Sequence, residues 1–176
     1  MRVSFSWGWV EVSPVPGYVQ LQFRRLARFP SPPIETVTGL GGTESLPARP
    51  GTEAFARYSA DLEKAQERLE AIILVFCLGM VERWEKNGVV MTDVPEGWTC
   101  PEEFAPLMPR AIIGECPEIE RFYPKAEYLL TNVLLTPDDV SAVIQAALNV
   151  VGQEDVESAK ELFRGQARRK TGKKKA

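Results

Sequence analysis

The period of the apolar positions changes along this chain, and each change marks a different element. Val3, Phe5, Trp7 and Trp9 alternate with Arg2, Ser4, Ser6 and Gly8, a period of two that predicts a strand. SPVPG over 13–17 reads as a turn. Val19, Leu21 and Phe23 then alternate with Gln20, Gln22 and Arg24 as a second strand. Together they predict a β-hairpin arm over residues 1–27, which must rest on the helices or on a partner, because a lone hairpin is marginal in water. Residues 28–51 hold five prolines and four glycines and predict an extended linker, with one short strand at IETV.

From Thr52 the period lengthens. Phe55, Tyr58, Leu62, Ala65, Leu69, Ile72 and Phe76 are spaced by threes and fours, one stripe along a helix. Thr52 caps its start, Glu53 suits the positive end, and Asn87-Gly88 supplies a left-handed stop. Unbroken from Thr52 to Asn87, that helix measures roughly 50 Å. Its first half carries a narrow stripe between charged flanks, with the spacing of a coiled-coil seam. Its second half, AIILVFCLGMV over 71–81, is apolar all round and predicts enclosure by other elements. Trp98, Leu129, Val133, Ile144 and Leu148 are the expected neighbours.

Shorter helices follow. Thr99 and Glu102 have capping-box spacing, which predicts a helix over 100–107. Pro117 and Pro124 each suit a first helical turn and predict helices over 117–123 and 124–135. Thr136-Pro137-Asp138-Asp139 combines a capping hydroxyl, a proline at the first helical position and two acids on the dipole. Val140, Ile144, Ala147 and Val151 then form one face, and Gly152 closes it. A last amphipathic helix is predicted over about 154–164. The expected fold is mainly α: a long central helix with several shorter helices in a small bundle (52–163), an N-terminal β-hairpin arm, and a disordered basic tail over 164–176.

Composition sharpens this picture at the tail. The net charge is −3, but from Arg164 onward there are seven basic residues and no acid, leaving 14 basic against 24 acidic residues in the rest. The body is therefore acidic and the tail basic, through Arg168, Arg169, Lys170, Lys173, Lys174 and Lys175. At 176 residues and 44% hydrophobic, the chain has the size and composition of one soluble globular domain. The apolar run is too short to span a bilayer, so no membrane contact is expected. The N-terminus, without a long apolar core, reads as mature sequence. Cys77, Cys100 and Cys116 are an odd number without tight spacing, as in a reduced cytosolic protein.

Chemistry is sparse. The chain has no histidine, which removes Ser-His-Asp and Cys-His catalysis and most zinc sites. Glu102-Glu103 and Asp138-Asp139 sit where helix starts want negative charge, so they read as caps and not as a hydrolytic pair. TGLGGTES over 38–45 lacks the Lys-Ser/Thr ending of a phosphate loop. No catalytic, cofactor or metal residue is assigned. Trp7, Trp9, Phe55, Tyr58 and Leu62 are the candidate partner-binding residues, since aromatics dominate such contacts.

The punctuation has a counterpart in a known family. FPSPPIETV precedes the long helix FARYSADLEKAQERL; VPEGW follows, then YPKAEYLLTN and the capped helix LLTPDDVSAVIQAAL. This order, over about residues 28–150, resembles the tail assembly chaperones of long-tailed bacteriophages (siphoviruses). The resemblance implies a non-enzymatic factor in the host cytoplasm that coats and solubilises the tape measure protein and helps recruit the tail tube protein; self-association or partner binding is expected separately, from apolar surface on the hairpin and the first half of the long helix. It also implies a longer frameshifted form, for which the lysine run at Gly172–Lys175 is a candidate slip site; a plain solubilising tail is the alternative reading of the same residues. Two other expectations stand beside it: a phage virion structural or adaptor protein, and a nucleic-acid-binding protein that uses the basic tail.

Overall fold

A computed structural model of the protein describes residues 1–39 and 42–148. The mainly α expectation holds in part: a long helix dominates, with a small β-sheet at the N-terminal end. Helices take roughly half of the described residues, and two antiparallel β units supply much of the remainder. The expected last helix, the Val151 end of the preceding one and the basic tail lie outside the described residues.

The N-terminal hairpin exists, with other boundaries. β1 (Arg2–Phe5) and β2 (Gly8–Val12) pair antiparallel, Phe5 opposite Gly8, so the turn falls at Ser6-Trp7 inside the apparent single strand. After that turn the inward set moves from Val3 and Phe5 to Val10 and Val12, both fully buried. Gly8 is required because a Cβ there would stand 2.0 Å from the Glu85 carbonyl oxygen.

The second predicted strand is helical instead: α1 covers Gly17–Gln20 and α2 covers Phe23–Ala27. Val19, Phe23 and Ala27 recur every four residues, so the segment satisfies both periods. Burial decides between them. Phe23 and Ala27 are enclosed, whereas Leu21, needed by the strand, is 80% exposed. The expected linker also contains more structure. β3 (Ile34–Gly39) and β4 (Gly42–Pro47) pair antiparallel, so IETV lies in a strand and Gly42–Pro47 is its partner.

α3 runs Glu53–Gly79, roughly 40 Å. The Thr52 hydroxyl accepts the Phe55 N–H at 3.3 Å, and Glu53 pairs with Arg57 one turn on. The helix stops eight residues earlier than its sequence predicts. A Cβ at Gly79 would lie 2.4 Å from the Phe122 ring, so glycine permits that close packing. Val81–Lys86 then turns to strand (β5), followed by β6 (Val89–Met91). Asn87 and Gly88 have φ of 52° and 81° and form a two-residue hairpin turn, not a helix stop. β2 pairs with β5, giving one sheet of order β1-β2-β5-β6. The N-terminal residues are thus an integral half of a sheet and not an arm.

The expected helix over 100–107 is reduced to a 3-10 turn at Ala105–Leu107; Pro106 interrupts it, and α4 (Pro109–Ile113) comes after. A second 3-10 turn, Glu120–Phe122, occupies the predicted 117–123 helix and leads into α5 (Tyr123–Asn132). α6 (Pro137–Ala147) starts as expected, the Thr136 hydroxyl accepting the Asp139 N–H at 3.2 Å.

The core lies where the all-apolar end of α3 meets the sheet, α5 and α6. Ile72, Val75, Cys77 and Leu78 are fully enclosed with Leu129, Val133 and Val143 around them. Phe76 stands between Phe23 and Phe122, at ring-centre distances of 5.3 and 5.2 Å. Three neighbours differ from expectation. Ile144 and Leu148 are only partly buried, and Trp98 lies outside the core, edge-on to Tyr128 at 5.2 Å. Trp84, on β5, is the large indole that the core encloses completely. Its Nε1 finds no acceptor among the described residues, a destabilisation of about 1–3 kcal/mol.

Candidate interaction surface and polar clefts

The five candidate partner residues fall into two separate groups. Trp7, at the β1–β2 turn, packs against the core: its ring stacks on Phe5 at 4.7 Å, and its Nε1 donates to Asp139 Oδ2 at 3.2 Å, tying the sheet to the start of α6. Trp9 points to the opposite sheet face. There the Arg2 guanidinium covers it at 3.9 Å, and the neighbouring Glu11 and Arg83 form an ion pair at 2.5 Å. Its face is thus polar and charged, with the exposed Val90 of β6 beside it.

Phe55, Tyr58 and Leu62 lie elsewhere, on the N-terminal half of α3. Their side chains are half-buried and outside the core cluster, which α3 joins only at Leu69. The Phe55 and Tyr58 rings touch each other at 6.3 Å. The β3–β4 hairpin shares this independence from the core, and Ile34 and Leu46 are exposed on it. Trp7 and Trp9 therefore do not join the α3 row in one patch. The basic residues from Arg168 to Lys175 lie outside the described residues.

The polar features that pattern reading missed are centred on arginines. Glu127, on α5, has a side chain only 8% exposed; its carboxylate accepts from Arg110 Nε at 2.9 Å and Nη2 at 3.4 Å. The Arg110 guanidinium, about half exposed, also lies over the Tyr123 ring at 4.8 Å. The pair joins α4 to α5 and forms one wall of a cleft of about 420 Å³ that Trp98, Cys100 and Pro124 also line. The only hint in the sequence was spacing: Glu127 falls four residues after Tyr123 and one after Ala126, on the buried face of α5.

Burial raises all three thiols above their ordinary value. Burial pushes Cys77 up to about 12. Cys116 is raised by burial and then by Glu118, to whose carboxylate its thiol donates at 3.4 Å. Glu118 is held below its ordinary value by its own backbone N–H and the Cys116 thiol, with Arg28 and Arg25 adding to the effect. Burial likewise raises the Tyr123 phenol, which donates to the Gly114 carbonyl at 3.2 Å.

Among the described residues, no group of three or more His, Cys, Asp or Glu is placed to hold a metal ion, and no helix is long and apolar enough to cross a membrane. No family model, curated protein or solved structure matches the chain.

Proposed function

We propose that this protein is a tail assembly chaperone of a long-tailed bacteriophage. In this reading it binds the tape measure protein in the host cytoplasm, keeps it soluble, and helps bring tail tube subunits to it. The observation that carries the proposal is the division of α3. One end is locked into the core, while the Phe55, Tyr58 and Leu62 row continues beyond it. An amphipathic row on a rigid helix is the kind of surface that receives another helix, and a long helical protein presents many of them. The Pro, Trp and helix-cap order of residues 28–150 adds the likeness to the family. The proposed action needs surface and no bond chemistry.

Co-expression tests it directly. Soluble yield of the cognate tape measure protein should rise severalfold with this chain, without any nucleotide requirement, and the gain should disappear with the double substitution Phe55→Ala, Tyr58→Ala. An unchanged yield, or dependence on ATP, sinks the reading. Mass spectrometry of purified particles separates a chaperone, absent from the virion, from a structural adaptor that stays in it.

A further inference from the structure

β3 and β4 pack chiefly on each other, and neither belongs to the core cluster. A two-stranded unit alone is marginal in water, so a further strand beside it would stabilise it. The hydrogen-bond parity shows where such a strand would go. The Ala48 N–H donates to the Pro33 carbonyl at 2.9 Å, next in register to the pair Ile34↔Pro47. Bonded pairs alternate along an antiparallel ladder. Glu35, Val37 and Gly39 therefore exchange bonds with β4, and the N–H and C=O groups of Ile34, Thr36 and Thr38 point outward.

The two outer edges are not alike. On β4 the outward groups belong to Thr43, Ser45 and Pro47, and Pro47 has no N–H to offer. On β3 all three N–H groups are present, and none of the three residues is a proline or carries a charge. Ile34 is 70% exposed, and Thr36 and Thr38 are exposed on the same face of the strand. The larger sheet has edges of its own, but β6 is three residues long and β1 carries Arg2, a charge that guards an edge.

We propose that β3 is a dimer interface: it pairs antiparallel with β3 of a second copy, so that the two β3–β4 units form one continuous sheet. The strand is complementary to itself. With Thr36 opposite Thr36 of the second copy, Ile34 falls opposite Thr38 and Thr38 opposite Ile34. All three then exchange both bonds across the two-fold axis. The threonine pair is a favourable cross-strand neighbour, and β-branched residues meet along the whole seam. Glu35 lies opposite position 37 of the second copy, so the two carboxylates do not face each other. Pairing on a two-fold axis also closes the assembly as a dimer. The proposal goes beyond the chaperone reading and does not depend on it.

The test uses the full chain. Sedimentation equilibrium should find a dimer. Thr36→Pro removes one outward N–H and blocks the edge, while the bonds that neighbouring residues make to β4 stay in place; Pro47 already occupies such an outward position on β4. This variant should dissociate at least about tenfold more readily, with an unchanged circular dichroism spectrum. Register is read separately, in a Cys100→Ser background that removes the part-exposed native thiol. Bonded residues across such a seam have Cα atoms about 5.5 Å apart, within disulfide reach. Mild oxidation should therefore link Thr36→Cys chains to one another and leave Thr38→Cys chains unlinked, since position 38 faces Ile34. A strict monomer at the highest soluble concentration overturns the proposal, as do open-ended assemblies. A dimer that Thr36→Pro leaves intact overturns the assignment to β3. Equal cross-linking at 36 and 38 overturns the register. The cross-link reads the folded chain directly, so the result stands if the proline variant fails to fold.

Discussion

At the scale of single residues, the buried end of α3 tolerates little change. Phe76 contacts two other rings inside the core, so Phe76→Ala should cost about 3–5 kcal/mol in denaturant melts. A loss below about 1 kcal/mol would show that this is not the centre of the fold. Cys77 makes a separate prediction. Its folded thiol is raised from 9.0 to about 12, so between those values the unfolded chain releases a proton that the folded chain keeps. Stability from this group is therefore complete below pH 9 and is lost as pH rises toward 12, at a slope of about 1.4 kcal/mol per pH unit. Melts of wild type and Cys77→Ala across that range should converge by that slope; parallel curves would contradict it. In native protein, alkylation should reach Cys100, which is part-exposed, well before Cys77.

At the scale of elements, the Asn87-Gly88 turn decides between helix and strand for the residues before it. Gly88→Val would place a β-branched residue at φ 81° and should destabilise the β5–β6 hairpin by about 1–2 kcal/mol, read as faster amide exchange in Val81–Met91. An unchanged exchange pattern would mean the turn does not hold the strands. The same turn marks the limit of what the pattern disclosed. Caps at Thr52 and Thr136, the enclosed end of α3 and the IETV strand were legible, because each depends on neighbours in sequence. The stop at Gly79 was not, because the residues that follow it pair as β5 with β2, distant in sequence. The register change at Ser6-Trp7 was likewise hidden, since one alternation of apolar residues continued across it. The Arg110–Glu127 pair needed three-dimensional proximity, and no local signal announces that.

For the whole molecule, the division of α3 into a core end and an end outside the core cluster separates stability from binding. Phe55→Ala with Tyr58→Ala should change the unfolding free energy by less than about 1.5 kcal/mol, because neither ring joins the core cluster. The same change should abolish capture of the tape measure protein in a pull-down. A variant that unfolds the protein, or one that binds normally, would show that the row serves the fold or serves nothing. Trp7→Ala is the contrasting control, expected to lower stability through its packing and its bond to Asp139.

The sheet joins two distant parts of the chain: Glu11 pairs with Arg83 across 72 residues. That separation matters during synthesis. At about 5–20 residues per second, the ribosome needs roughly 4–14 seconds after making β2 before β5 exists to pair with it. Through that interval Val10 and Val12 have no sheet to join, and the final pairing must also close a long loop. Nascent chains stopped before Val81 would carry the β1–β2 hairpin with an open β2 edge, a template for self-pairing with other such chains.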